Sequence, residues 1–265
     1  MKLVIKVGGS LLDEADCRGK IARQLAEIAG KHQLVVVHGG GKQVTRFLDE
    51  HGVESQFVRG LRISDEPVLD AVLKVIAGSV NKRLVSAILA AGTSAFGLSG
   101  IDGPLTVAER MGGDLGFVGQ PGPTDGKLLD LLVNAGYLPV VACIAGDRDG
   151  NIYNVNADQM AVSCARGWRA EKLFFLTDVA GVKDQAGHVL PHISPQEIGE
   201  LIGTGVAHGG MQAKLEAAMA ALRTGIGEVI IAPGNSPDIG RRLLAGEALG
   251  TRLSPALIPE RGATA

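Results

Sequence analysis

The sequence predicts an α/β protein, a three-layer α/β/α sandwich with a mainly parallel central sheet. Three observations carry that expectation. Short β-branched apolar runs recur along the chain. Each ends at glycines or a small polar turn, and stretches of helical spacing lie between them. Continuous apolar runs suit strands covered on both faces, as in a parallel sheet whose crossovers are helices.

The runs come in order. Leu3-Val4-Ile5 ends at Gly8-Gly9, and Leu34 to Val37 ends at His38-Gly39-Gly40-Gly41. Leu138-Pro139-Val140-Val141 ends at Gly146, Leu173 to Leu176 at Thr177-Asp178, and Val229 to Ala232 at Pro233-Gly234. Between them, Leu69, Val72, Leu73, Ile76, Val80, Leu84 and Ile88 predict a helix from Ser64 to about Ala91. Val68 and Val75 add a second stripe to it, buried either by a partner subunit or by the same chain. Ser194-Pro195-Gln196-Glu197 reads as a capping box with proline in the first turn. Leu215, Ala218, Met219 and Leu222 make a one-sided helix that stops at Gly225. Two hairpins are expected, one around Gly112, Gly113 and Gly116, the other turning at Asp149-Gly150 into Ile152 to Val155. The tail after Leu253 is expected to fray.

Composition excludes several function classes. With 265 residues, the chain suits one large α/β domain or two lobes sharing a sheet. Aromatic residues are 3% of it, too few for a nucleic-acid platform of stacked rings. A net charge of −2 gives no basic field to draw it to nucleic acid or an acidic membrane. Cys17, Cys143 and Cys164 are far apart, so they read as small apolar side chains in a reduced compartment. No signal peptide or membrane span is legible, and the expected location is the cytoplasm.

In an open parallel sheet ligands bind at the carboxyl ends of the strands. The glycine clusters sit there, and glycine lets backbone approach an oxygen-rich ligand while helix N-termini offer N–H donors. Familiar motifs fail letter by letter. Gly126-Lys127 is followed by Leu128, so there is no Walker loop. Val44 stands where the dinucleotide fingerprint needs a small residue after Gly39 and Gly41, and Ile101 breaks a hydrolase elbow begun at Gly97-Leu98-Ser99-Gly100. His38-Gly39-Gly40-Gly41 resembles a hydrolase oxyanion loop, but it has no nucleophile to serve.

Asn154-Val155-Asn156-Ala157-Asp158 leaves a strand and enters a helix. Asn156 suits a cap, and Asp158 suits the first turn. Alternation places Asn154 and Asn156 on one face, which suits recognition of a small polar acid. His208-Gly209-Gly210-Met211-Gln212-Ala213-Lys214 enters another helix, whose N–H groups and lysine suit phosphate. Lys6 stands inside an apolar strand just before the Gly8-Gly9 turn, an unusual place for a surface lysine.

These motifs occur in one order: Lys6 to Gly9, Val37 to Gly41, Gly60-Leu61-Arg62, Asn81-Lys82, Gly136 to Val140, Asn154 to Asp158, Thr177 to Val182, and Gly209 to Lys214. Together they resemble the acetylglutamate kinases of the amino-acid kinase family, from Lys6 to about Arg252. The resemblance implies an acid-binding and dimerising lobe over 1–166 and a nucleotide lobe over 167–265. It implies transfer of a phosphoryl group from ATP with Mg²⁺ to the γ-carboxylate of N-acetylglutamate, in arginine biosynthesis. By the same resemblance, Lys6 and Lys214 stabilise the transferring group and Asp158 holds both lysines. Gly40, Gly41, Arg62 and Asn154 bind the acid, and Gly8 and Gly9 line the phosphate path. Thr177, Asp178, Val179, Gly181 and Val182, with Gly209, Gly210 and Met211, meet the nucleotide. No residue set reads as a metal site.

The chemistry agrees with those roles. A carboxylate nucleophile is ionised at neutral pH and needs no general base, so catalysis rests on positioning and charge neutralisation. Alternatives share the motifs: kinases of N-succinylglutamate or carrier-linked aminoadipate, and a non-catalytic amino-acid sensor on the same fold. A dinucleotide-dependent oxidoreductase is disfavoured by the failed fingerprint. Gln212-Ala213 departs from the Ile-Pro common in the family and bears on the placement of Lys214. Only five residues precede Lys6, whereas arginine-inhibited relatives carry an extra helix there. The expectation is a homodimer, with the helix from Ser64 in its interface, and no arginine feedback. Light scattering is expected to give a dimer, and millimolar arginine to leave activity unchanged. A hexamer, or abolished activity, overturns it.

Overall fold

The structure, a computed structural model, describes residues 1–254. The expected fraying of the tail concerns residues that, Ser254 apart, lie outside that range. In chain order the strands are β1 (Lys2–Val7), β2 (Gln33–His38), β3 (Phe57–Val58), β4 (Leu61–Arg62), β5 (Ala95–Ser99), β6 (Thr106–Arg110), β7 (Val118–Thr124), β8 (Leu138–Ala142), β9 (Ile144–Gly146), β10 (Ile152–Val155), β11 (Lys172–Thr177), β12 (His192–Ile193), β13 (Glu228–Pro233) and β14 (Thr251–Leu253). The helices are α1 (Ala15–Ala29), α2 (Gly41–Glu50), α3 (Glu66–Val72), α4 (Asn81–Ala90), α5 (Gly126–Asn134), α6 (Ala157–Gly167), α7 (Pro195–Gly203), α8 (Gly209–Arg223) and α9 (Ile239–Leu244).

Eight strands form one sheet in the order β12-β14-β13-β11-β1-β2-β8-β5. All neighbours are parallel except β13 and β14. The apolar runs are its central strands. Leu3 to Ile5, Val35 to Val37, Leu173 to Phe175 and Val229 to Ala232 are wholly buried, which requires cover on both faces. Each such large side chain contributes roughly 1.5–3 kcal/mol of burial. One helical layer groups α1 with α4 and α9; another groups α6 with α8, with α6 lying on β1, β2 and β11. From β1 the chain proceeds to β2 on one side, while β11 flanks it on the other. That reversal opens a crevice at the carboxyl end of β1.

Both expected hairpins form, β6–β7 and β9–β10, and they close together into a small four-stranded barrel. The capping box of α7 forms with Glu197 N–H donating to Ser194 Oγ at 3.3 Å and Ser194 N–H to Glu197 Oε2 at 2.6 Å. Cys17, Cys143 and Cys164 are free; burial pushes the thiols of Cys143 and Cys164 up to about 12, so both stay protonated and inert. Among the described residues no helix is long and apolar enough to cross a membrane.

The long helix departs from its sequence reading twice. Its cap is Asp65, which accepts from Val68 N–H at 3.0 Å, rather than Ser64. Ser64 is instead tied to the β6–β7 loop, donating N–H to Leu115 O at 3.0 Å and accepting from Phe117 N–H at 2.6 Å. The helix is also interrupted by a π-helical segment, Leu73–Val80. One extra residue in a turn rotates the following face by about 100°. Val68 and Val75, which formed the second stripe, are buried by the same chain together with Val72, Ile76, Val80, Leu84 and Ile88. The second stripe is therefore core.

Gly116 holds the Ser64 tie. Its φ is +71°, and a Cβ there would lie 2.2 Å from Ser64 O. Gly116→Ala is expected to lower stability by about 2–4 kcal/mol, read as a lower denaturant midpoint; an unchanged midpoint contradicts this.

Candidate active site

Three charged side chains meet under the crevice. Lys6 Nζ lies 2.9 Å from Asp158 Oδ1, and Lys214 Nζ lies 2.9 Å from Asp158 Oδ2. Each comes from a different element. Lys6 is in register with Phe175 on one side and Val37 on the other, near the carboxyl end of the central strand. Asp158 is in the first turn of α6, where the helix dipole favours a carboxylate. Asn156 caps that turn, accepting from Asp158 N–H at 2.8 Å and Gln159 N–H at 3.2 Å. Lys214 reaches in from the second turn of α8, its ammonium 5.6 Å from the centre of the Phe175 ring. Gln212 turns away to Glu216 at 2.9 Å, so the Gln212-Ala213 departure does not keep Lys214 from Asp158.

All three are buried, with Lys6, Asp158 and Lys214 9%, 7% and 8% exposed. Burial opposes the charge on Asp158, but the two lysines outweigh it and hold the carboxyl down to about 2. Lys214 is pulled the other way, because burial and the neighbouring Lys6 charge lower it more than Asp158 raises it. Two cations share one anion, which leaves one surplus positive charge in a low-dielectric site. Such a cluster is incomplete without a negatively charged ligand.

Glycines form the walls beside it. Gly8 sits on the seam between β1 and β11, donating N–H to Leu176 O at 2.8 Å and accepting from Leu11 N–H at 3.1 Å. Gly9 faces Gly40 so closely that a Cβ on it would lie 3.2 Å from Gly40 Cα. Gly9, Gly40, Gly41, Lys6, Arg62, Asn154 and Asn156 all line one cavity, with Val72, Ile76 and Val118 as its apolar wall. Asn154 and Asn156 thus face one cavity, as their alternation predicts, but are held differently. Asn156 has left the strand, and its oxygen caps α6. Asn154 Nδ2 donates to Ser64 Oγ at 3.0 Å.

Arg62 is 8% exposed and has no carboxylate within ion-pair distance among the described residues. Its guanidinium donates to Ser55 Oγ, to Thr45 Oγ1 at 2.7 Å and to Gly41 O at 3.0 Å, and it stacks 4.6 Å from the Phe57 ring centre. It is a held, unneutralised cation at the cavity wall. Thr45, Ser55 and Phe57 carried no sequence signal, because they matter only through Arg62. The Gly78-Ser79 pair inside the π segment is the sequence signal that could have marked the irregular helix.

A second cleft opens beyond β11, lined by Asp178, Val179, Gly181, Val182 and Met211. Gly181 belongs there sterically, since a Cβ would come within 2.7 Å of Val189 and 2.9 Å of Thr251. Gly8, Thr177, Gly209 and Gly210 line neither cavity. Thr177 is buried at the end of β11, and Gly209 and Gly210 begin α8. Among the described residues no cluster of three or more His, Cys, Asp or Glu is arranged to hold a metal ion.

Residues 1–233 match the model of the amino acid kinase family. This chain belongs to that family. As a family member it is 53% identical to the acetylglutamate kinase of Solibacter usitatus, over 96% of this chain and 99% of that protein. It is 42% identical to the acetylglutamate kinase of Koribacter versatilis, over 90% and 92%. Among solved structures it resembles the N-acetylglutamate synthase of Neisseria gonorrhoeae complexed with coenzyme A and N-acetyl-glutamate. The TM-score is 0.85 at 25% identity, covering 96% of this chain and 59% of that one.

The depressed Asp158 carboxyl gives this amino acid kinase a testable acid limb. Its folded pKa is about 2, below the ordinary value of 3.8. The stabilisation is therefore complete above pH ~4 and is lost as pH falls toward ~2, in total about 2 kcal/mol. Asp158→Asn is expected to lower stability at neutral pH by several kcal/mol, roughly 3–5 for a broken buried pair. It should also flatten the pH dependence between ~4 and ~2. Denaturation midpoints against pH measure both, and an unaltered acid limb in the variant contradicts the assignment.

Proposed function

We propose that this protein transfers the terminal phosphoryl group of ATP to the γ-carboxylate of N-acetyl-L-glutamate, the second step of arginine biosynthesis. One observation carries the reading: the Lys6–Asp158–Lys214 cluster, with its surplus positive charge, beside a cavity that presents Arg62, Asn154 and two glycine edges. The acetylglutamate kinases it resembles along nearly their whole length support it.

In this reading Arg62 and Asn154 hold the acid, and Val72, Ile76 and Val118 receive a short apolar acyl group. That wall favours acetyl over succinyl, whose second carboxylate would lie against it. The acceptor carboxylate attacks directly, already ionised. Lys6 and Lys214 neutralise charge on the phosphoryl oxygens as it passes, and Asp158 keeps both in place. Asp158 is not a base, since two ammonium groups hold its oxygens. Gly8 and Gly9 border the phosphate path. The segment Thr177 to Val182 and the start of α8 at Gly209-Gly210-Met211 serve the nucleotide. Magnesium arrives with ATP as part of the substrate and adds positive charge to its phosphates. Among the described residues, 1–166 form the acid lobe and 167–254 the nucleotide lobe.

The active form is a cytoplasmic homodimer. Leu89 at the end of the long helix, Phe96 on the edge strand β5 and Tyr137 are exposed, and Phe96 and Tyr137 meet edge-on at 6.1 Å between ring centres. An exposed apolar sheet edge of this kind suits a second subunit.

A coupled ADP-release assay with N-acetylglutamate, N-succinylglutamate, glutamate and N-acetylaminoadipate tests the reading; release with none of them ends it. Lys6→Ala and Lys214→Ala are each expected to lower kcat by about 10²–10³-fold, with acetylglutamate affinity by calorimetry little changed. Unaltered turnover in both rejects the charge-neutralising role.

A further inference from the structure

We propose that the hydrogen-bond chain Lys82–Asn81–His38–Gly39 is a positioning device that fixes which way the Gly39–Gly40 peptide faces and so aims the Gly40 N–H at the reacting oxygens. It rests, for those oxygens, on the kinase reading above.

Each link has only one possible direction. Asn81 Nδ2 lies 2.9 Å from Val140 O, which can only accept. Lys82 Nζ, which can only donate, lies 3.1 Å from Asn81 Oδ1. Both contacts fix the same orientation of the Asn81 amide. Its Nδ2 then donates to His38 Nε2 at 3.0 Å. His38 is fully buried, and burial holds its pKa down to about 4, so the ring is neutral. With Nε2 accepting, the ring proton must sit on Nδ1. Nδ1–H donates in turn to Gly39 O at 2.9 Å.

Among the described residues no peptide bond is cis. In a planar trans peptide C=O and N–H point in opposite directions. Holding Gly39 O toward His38 therefore turns the Gly40 N–H away from it. His38 lies inside the core, whereas Gly40 lines the acid-side cavity with Lys6 and Gly9. Gly40 N–H donates to no described backbone or side-chain group. Such a pin is needed because glycines stand on both sides of this peptide. Flipping it changes only the ψ of Gly39 and the φ of Gly40, which glycine tolerates. The flipped peptide would present a carbonyl oxygen to an anionic substrate.

The chain also explains a remote glycine. A Cβ on Gly97, on β5, would lie 2.1 Å from Asn81 Oδ1 and 3.0 Å from Lys82 Nζ. Gly97→Ala thus disturbs the relay without touching the cavity.

The test combines kinetics with ¹⁵N-histidine NMR on the full-length protein. Wild-type His38 is expected to be protonated at Nδ1 and bare at Nε2 near neutral pH. His38→Leu and Gly97→Ala are expected to lower kcat roughly 10- to 100-fold, below the full loss of an oxyanion donor. In both, KM for ATP should stay within about 2-fold, because uniform binding is unaffected. In His38→Asn, Nδ2 replaces Nδ1 as donor, and kcat should recover to within about 5-fold of wild type, a positioning effect. Thermal melts confirm that each variant is folded; if His38→Leu is not, Gly97→Ala and the NMR decide. Protonation of wild-type His38 at Nε2 overturns the proposal. So does wild-type turnover in a folded His38→Leu or Gly97→Ala, or a folded His38→Asn as slow as the leucine variant. A wild type that turns over acetylglutamate but carries Nε2–H ends only the relay. A wild type inert toward every acid ends the kinase reading and leaves the tautomer to judge the relay.

Discussion

A single buried carboxylate, Asp158, holds two buried lysines that would otherwise repel each other. The rest of the architecture is arranged around that contact. A lysine in the centre of a parallel sheet is unfavourable unless an anion sits against it. Lys6 occupies such a place only because α6 crosses β1 with its capped first turn toward the strand. Lys214 adds a second cation from α8, and its burial is tolerated on the same terms. Burial makes the cluster electrostatically strong, and one carboxylate for two ammonium groups leaves it unsatisfied. A singly charged anionic group placed against the cluster would balance it.

Backbone geometry supplies the remaining features. The two glycine edges approach closely: a Cβ on Gly9 would lie 3.2 Å from Gly40 Cα and 3.3 Å from Gly40 N, tighter than ordinary side-chain packing. Their N–H groups therefore come near one another at the carboxyl ends of β1 and β2. Glycine gives the space but not the direction. Direction comes from neighbours with fixed hydrogen-bonding roles: Leu11 N–H for Gly8 O, Gln43 Nε2 for Gly9 O at 2.8 Å, and the His38 ring for Gly39 O. Groups fixed in this way need not reorganise when a ligand arrives.

Much of this was legible in the chain of letters. The α/β class followed from the apolar runs, because strands buried on both faces need no alternation. Lys6 was conspicuous because charge inside an apolar strand demands an explanation. Asn156 was readable as a cap, because capping is local chemistry. The long helix was only half legible. Its stripes predicted a helix, but not the π segment that interrupts it, and they left open whether Val68 and Val75 are covered by a partner or, as the structure has it, by the same chain.

The sequence by itself determined the five central strands of the sheet, the capped starts of α6 and α7, the glycine edges and the chemical types available at the sheet's rim. These depend on spacing, alternation and capping, which act over a few residues. Only the tertiary structure decided that Asp158 lies between Lys6 and Lys214, that Arg62 is held by Ser55, Thr45 and Gly41 O, and that Asn81 reaches His38. Those contacts join segments distant in sequence, and their geometry depends on how far each helix slides and turns over the sheet. A side chain's partners in a packed interior are set by that registration, to within an ångström, and no local pattern records it.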